Sequence, residues 1–155
     1  MKVGFGFDAH ELVEGKPLIL GGVHIEYEKG LRGHSDGDVL LHALSDAVLG
    51  SCAGGDIGLY FRDDDTKTAG IDSRRILQFA LEKARGAGLK IHNVDIVLVG
   101  DKPKLNVVYD TIRQSVAECC GIAVTEISVK AKTTEGTLVG KGSIACFAVT
   151  SMDEL

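Results

Sequence analysis

The chain opens Lys2-Val3-Gly4-Phe5-Gly6-Phe7-Asp8-Ala9-His10, and the period-two alternation of this stretch is that of an extended strand with two different faces. Val3, Phe5, Phe7 and Ala9 form one row, which is expected to face the core. Gly4, Gly6, Asp8 and His10 form the other, the expected working face. Asp8 and His10 are ligand-type side chains on one face, and His42 on a separate helix is placed to close a metal site around them. Structural zinc sites usually fill four positions with Cys and His. A three-ligand N/N/O set leaves one position open, as a catalytic or substrate-binding metal requires.

A length of 155 residues fits one domain with a single core, and 45% hydrophobic residues is ordinary for a globular protein. The formal charge of −5 comes without a dense Lys/Arg run or basic-aromatic interleaving, so no nucleic-acid partner is expected. Small molecules are the expected partners. Cys52, Cys119, Cys120 and Cys146 form no Cys-x-x-Cys pair, which argues against a zinc ribbon or a disulfide framework and for a reducing, cytoplasmic setting. No leader-like segment and no run approaching the roughly 20 apolar residues of a membrane span are found.

Strands are expected over residues 2–11, 94–99, 127–133 and 144–151. Leu18-Ile19-Leu20 and Val23-His24-Ile25 flank Gly21-Gly22 as a hairpin or a bulged strand. Helical spacing of Leu40, Leu41, Ala43, Leu44, Ala47 and Val48 predicts a helix over 38–53. A second is expected from the cap candidates Asp72 and Ser73 to Gly86, and a third from about Leu105 to Cys120, ending at Gly121. The class is α+β, with helices on one face of a mixed four-stranded sheet plus a small hairpin.

Asp38, His42 and Asp46 recur at i, i+4 and i+8, one stripe opposite the leucines. Taken alone, a solvated polar face explains it. Read with Asp8 and His10, it is a ligand with Asp46 or Asp38 as the carboxylate supporting its second nitrogen. His24 and His92 lack such neighbours. The segment Gly33-His34-Ser35-Asp36-Gly37-Asp38 leads into the helix, where free N–H groups favour an anion, although a cap at Ser35 or Asp36 accounts for it equally. Carboxylates in Gly55-Asp56-Ile57-Gly58 and Phe61-Arg62-Asp63-Asp64-Asp65 suit polyol hydroxyls, against a default of a solvated loop. Lys130-Ala131-Lys132-Thr133-Thr134-Glu135 can hold phosphate oxygens, with Glu135 as a hard ligand for magnesium. Gly100-Asp101-Lys102-Pro103-Lys104 follows a buried-type strand, where ligand-binding loops tend to lie.

Taken together, Gly6-Phe7-Asp8-Ala9-His10, Gly21-Gly22-Val23, His34-Ser35-Asp36-Gly37-Asp38, His42-Ala43, Gly55-Asp56-Ile57-Gly58, Phe61-x-Asp63 and Lys130-Ala131-x-Thr133-Thr134-Glu135 closely resemble the 2-C-methyl-D-erythritol 2,4-cyclodiphosphate synthases of the non-mevalonate isoprenoid route. The resemblance covers nearly the whole chain, in the family's order and spacing. It implies a single synthase domain over 1–155, a homotrimer with active sites between subunits, and a cytoplasmic lyase. The implied reaction turns 4-diphosphocytidyl-2-C-methyl-D-erythritol 2-phosphate into the cyclic diphosphate plus CMP. By the same resemblance Asp8, His10 and His42 hold Zn2+, Glu135 holds Mg2+ or Mn2+, and His34 and Thr133 stabilise the transition state. Ser35, Asp56, Gly58, Asp63 and Asp65 would contact the methylerythritol phosphate, and Asp8, His10, Ile57 and Phe61 would be further substrate contacts. Gly100, Lys102, Pro103, Lys104, Lys132, Thr134 and Glu135 would hold the cytidine diphosphate, and Lys141 would be a further substrate-binding residue.

Such a reaction needs no protein nucleophile, because the substrate's own 2-phosphate attacks the β-phosphorus once the two are held face to face. The missing Ser-His-Asp or Cys-His pattern is consistent with that. A zinc-dependent hydrolase of a phosphorylated small molecule is the alternative, but no residue clearly supplies its general base. The chain departs from the family's pattern at Arg62, where proline is usual, and at Gly100 and Asp101, where Ala-Gln is usual. Residues 136–145 are shorter than usual, and Val139 and Lys141 stand where an aromatic and an arginine are common. Lysine keeps the charge but not the planar fork that grips phosphate.

Overall fold

The computed structural model describes residues 1–137 and 142–155, so Val139 and Lys141 lie outside the described residues. Its strands are β1 (Lys2–Glu14), β2 (Leu18–Leu20), β3 (Val23–Ile25), β4 (Lys29–Leu31), β5 (Leu89–Val99), β6 (Ile127–Lys132) and β7 (Ser143–Glu154). The helices are α1 (Val39–Ser51), α2 (Ser73–Gly86) and α3 (Tyr109–Cys120). The main sheet is five-stranded, in the order β4-β1-β7-β5-β6, and β2 and β3 pair separately. Only β5 and β6 run parallel, and α3 lies in the crossover between them, as a parallel pair requires. The expected α+β class stands. The strand added to the expected four is β4, which pairs with the far end of β1 through Leu12↔Leu31.

The faces of β1 are the reverse of those expected. Val3, Phe5 and Phe7 are 61%, 61% and 50% exposed, whereas Gly4 and Gly6 are buried. The reason is the approach of α1. A Cβ on Gly4 would come 1.7 Å from the carbonyl oxygen of Ala47, and one on Gly6 would come 1.9 Å from that of Ala43. Glycine on this row lets a helix backbone touch a strand backbone, which no larger residue permits. Asp8 and His10 continue the same row toward the end of the helix, so the metal-ligand candidates face α1.

That helix is buried on nearly all sides, because β1 and β7 lie beneath it and α2 packs across it. Leu40, Leu41, Leu44 and Leu49 are fully buried, each worth about 2 kcal/mol of apolar transfer. The stripe Asp38-His42-Asp46 is therefore not a solvated face: Asp38 is fully buried and His42 is 6% exposed. Asp38 is the N-cap, accepting from the Leu41 N–H at 3.0 Å, so neither Ser35 nor Asp36 caps this helix. The Asp38 carboxylate also accepts from the N–H groups of Gly21 and Gly22 at 3.0 and 2.6 Å. Those two glycines have φ of 61° and 75°, the left-handed pair of a tight hairpin turn, so β2 and β3 form a hairpin and not a bulged strand.

Helix α2 starts at Ser73 with Asp72 as its cap, which accepts from the Arg74 N–H at 2.8 Å. Helix α3 begins at Tyr109, later than the expected Leu105, because residues 106–108 form a 3-10 turn. It ends at Gly121, whose φ of 68° is the left-handed conformation of a helix stop. Among the described residues no helix is long and apolar enough to cross a membrane.

Candidate metal centre and substrate cavity

Strand β1 and helix α1 bring three donor atoms together. Asp8 Oδ2 lies 2.8 Å from His10 Nε2 and 2.9 Å from His42 Nδ1, and the two ring nitrogens are 3.2 Å apart. Among the described residues these three form the one group of His, Cys, Asp or Glu able to share a metal ion. A tetrahedral ion with bonds of about 2.0 Å needs ligand-to-ligand edges of about 3.3 Å, so the triangle accepts one after a small expansion. Two nitrogens and one carboxylate oxygen are donors that suit zinc. Burial raises the pKa of Asp8, but hydrogen bonds to His10 and His42 prevail and hold it well below the usual carboxylate range. For His42, burial lowers the pKa, whereas the hydrogen bond and charge of Asp8 raise it further, leaving the ring above its ordinary value.

The second nitrogen of His42 is not held by Asp46 or Asp38. His42 Nε2 lies 2.9 Å from both Ser35 Oγ and Ser73 Oγ. Asp38 is committed to the hairpin turn, and burial pushes its carboxyl up to about 6 against the pull of its backbone donors. Asp46 accepts from the Ile57 N–H at 2.8 Å and so anchors the 3-10 turn Ile57–Leu59. Burial raises its pKa as well. Ser73 stood out in sequence only as a cap candidate. Its hydroxyl points instead at the imidazole, a contact between residues 31 apart that spacing cannot reveal.

The triangle forms one wall of a cavity of about 220 Å3. His34, Ser35, Ile57, Gly58, Phe61 and Asp63, all named as candidates above, line it too, and Thr68, Ile71 and Ile76 complete the lining without having been anticipated. His34 Nε2 lies 3.0 Å from the backbone oxygen of Asp65. Asp56 and Asp65 spend their side chains on turns, accepting from the N–H groups of Leu59 and Lys67 at 3.2 and 2.9 Å. The Phe61 ring meets Phe79 edge-on at 5.2 Å, which fixes this wall against α2. Arg62 folds back on Asp64 through two 2.9 Å contacts at the surface.

The remaining candidates gather elsewhere. Gly100, Pro103, Lys104, Lys132 and Thr133 line a second cavity of about 190 Å3, together with Asp101, Asn106 and Tyr109. The two cavities have no lining residue in common. Thr134 is buried beneath the second, giving its N–H and hydroxyl to the Asp101 carboxylate at 3.0 and 2.9 Å. Asp101, one of the departures from the family's pattern, is thus the tie between the loop after β5 and the loop after β6. Glu135 has a φ of 50° and accepts from the Thr133 hydroxyl at 2.6 Å. Lys102 belongs to neither lining, and Lys141 lies outside the described residues.

Comparison with known proteins gives a consistent answer. The model of the YgbB family matches residues 1–153. The 2-C-methyl-D-erythritol 2,4-cyclodiphosphate synthase of Carboxydothermus hydrogenoformans is 47% identical over 157 residues, an alignment covering all of this chain and 96% of that one. A solved structure of a synthase of the same name in a CDP-bound form is 35% identical with a TM-score of 0.91, covering 98% of this chain and all of the other. The bifunctional IspDF of Campylobacter jejuni is 37% identical with a TM-score of 0.94, covering 99% of this chain, which spans 42% of that longer protein. The chain belongs to the YgbB family, whose named relatives here are 2-C-methyl-D-erythritol 2,4-cyclodiphosphate synthases.

Proposed function

We propose that the protein converts 4-diphosphocytidyl-2-C-methyl-D-erythritol 2-phosphate into 2-C-methyl-D-erythritol 2,4-cyclodiphosphate and CMP. This is the reaction of a phosphorus-oxygen lyase in a cytoplasmic isoprenoid-precursor route. The observation that carries the reading is the convergence of Asp8, His10 and His42 on the wall of a cavity that His34, Ser35, Ile57, Gly58, Phe61 and Asp63, from three further motifs of the family resemblance, also line. The synthase name of the relatives agrees with it, and none of those reported above is a hydrolase.

In the reaction an oxygen of the 2-phosphate bonds to the β-phosphorus, and the bond from that phosphorus to the CMP oxygen breaks with its electron pair leaving on CMP. Zn2+ held by Asp8, His10 and His42, with Mg2+ or Mn2+ at Glu135, would withdraw charge from the phosphates. The chain's own residues do the positioning. Ile57, Gly58, Phe61 and Asp63 hold the methylerythritol end, Asp56 and Asp65 shape the turns beside it, and Ser35 supplies a hydroxyl. His34 and Thr133 steady the charge that grows on the phosphates. The second cavity suits the cytidine diphosphate, with Gly100, Pro103, Lys104 and Lys132 in its lining and Lys102 on the same loop. Thr134 supports that cavity by holding the Asp101 carboxylate in its lining, and Lys141 is a further substrate-binding residue by the family resemblance.

Two separate half-sites in one chain support a trimer in which the nucleotide cavity of one subunit meets the metal cavity of the next. An apolar outer sheet face supports it too. Val3, Phe5, Phe7 and Val149 are 40–61% exposed, and Phe147 stacks between the two phenylalanines at ring distances of 6.3 and 5.0 Å. The test is to incubate the protein with the diphosphocytidyl substrate, zinc and magnesium and to record phosphorus NMR. Cyclic diphosphate and CMP should appear together, and the absence of both would refute the assignment.

A further inference from the structure

We propose that Asp36 acts through Ser73 to fix the ring proton of His42 on Nε2, and so leaves the Nδ1 lone pair aimed at Asp8 and His10. This goes beyond the proposed activity and rests only on the reading of those three residues as a metal site.

The argument is a count of protons. The Asp36 carboxylate can only accept. Its Oδ2 takes the Ser73 N–H at 3.0 Å, and its Oδ1 takes the Asp38 N–H at 3.1 Å together with the Ser73 hydroxyl. Ser73 has one hydroxyl proton, and Asp36 claims it. The Ser73 oxygen is left with only lone pairs toward His42 Nε2, 2.9 Å away, so this contact is a hydrogen bond only when Nε2 carries the proton. Ser35 fits the same scheme. Its oxygen accepts the Gly37 N–H at 3.2 Å and lies 2.9 Å from Nε2, while its own proton can turn to Ser73 Oγ at 3.4 Å. With the opposite tautomer, Nδ1–H would donate to the Asp8 carboxylate at 2.9 Å and the Ser35 hydroxyl would have to turn to Nε2, but lone pairs of Nε2 and Ser73 would face each other at 2.9 Å. No solvent is at hand to relieve that, since Ser73 is fully buried and His42 and Ser35 are 6% and 8% exposed.

A ring whose proton is fixed on one nitrogen is a better ligand through the other, because neither tautomer exchange nor ring rotation has to be suppressed on binding. The loop carrying Asp36, the first residue of α2 and the first turn of α1 are thus joined into one support. Asp36 and Ser73 are positioning residues here: neither belongs to the metal triangle.

Ring 15N spectra of the metal-free protein test this without substrate or turnover. In the neutral ring the Nε2 of His42 should show the shift of a protonated nitrogen and Nδ1 that of a bare one. Ser73→Ala should mix the two tautomers and weaken zinc binding, measured by chelator competition, by about tenfold or more. Asp36→Asn, which replaces one acceptor oxygen with a donor, should do the same and serves if Ser73→Ala does not fold. A wild-type ring whose neutral form carries its proton on Nδ1 overturns the proposal. So does a folded variant that keeps both the wild-type ring pattern and the wild-type zinc affinity. Loss of the synthase assignment would leave either result standing.

Discussion

Gly6 of β1 lies so close to Ala43 of α1 that a Cβ on the glycine would come 1.9 Å from the alanine carbonyl oxygen. The obstacle is backbone, which cannot swing aside as a side chain would. Gly6→Ala should therefore lift the helix off the strand and destabilise the protein by about 3 kcal/mol or more, read from the midpoint of urea unfolding. Asp8 and His10 stand on the strand and His42 on the helix, so the same change should weaken metal binding. A variant as stable as the wild type would show that α1 does not need this approach.

The same pair shows what could be read from the sequence. The alternation of β1 was legible, as was the helical spacing of α1, but which face of β1 is buried was not. Apolar size pointed to Val3, Phe5 and Phe7, whereas the face is set by what can approach it, and α1 requires glycine. Strand β4 escaped because Lys29-Gly30-Leu31 is too short to show a period, and the first half of β5 because Lys90, His92 and Asn93 dilute its apolar residues. The metal triangle was legible because ligand chemistry marks its members. Serine is common at helix starts, so nothing in the sequence set Ser73 apart.

His42→Ala should abolish tight metal binding and leave the fold intact. Alanine is the best helix former, and the site lies in a helix held by its leucines. Asp8 and His10 alone give two donors, too few to hold zinc firmly. Zinc stoichiometry by atomic absorption should fall to near zero with an unchanged circular dichroism spectrum, and turnover should fall with it. Retained zinc would refute the ligand role.

Protons and metal compete for His42, and the sign of the competition follows from its raised pKa. In the metal-free protein, stabilisation from the charged ring beside Asp8 is fully present below the unfolded value of 6.5 and is lost as pH rises through the higher folded value. Metal binding needs the neutral Nδ1, so it strengthens over the same interval and releases protons. The gap in melting temperature between zinc-loaded and zinc-free protein should therefore widen as pH rises above 6.5, and calorimetry in buffers of different ionisation enthalpy should register proton release. Asp38, pushed up to about 6 by burial, titrates below this interval. A gap that narrows with pH would contradict the coupling.

Phe7 separates assembly from folding. Its side chain is 50% exposed on the outer face of the sheet, with its ring 5.0 Å from that of Phe147, so a charge there costs the isolated chain little. In a trimer built on this face, three carboxylates would be forced together in an apolar contact, and an unpaired buried charge costs several kcal/mol. Phe7→Asp should therefore convert a trimer to monomers in light scattering, with near-native circular dichroism. The metal triangle belongs to one chain, so the monomer should still bind zinc. Because the nucleotide cavity and the metal cavity would then be separated, it should lose nearly all synthase turnover. A monomer with full activity would show that one chain closes the site by itself, and an intact trimer would place the interface elsewhere.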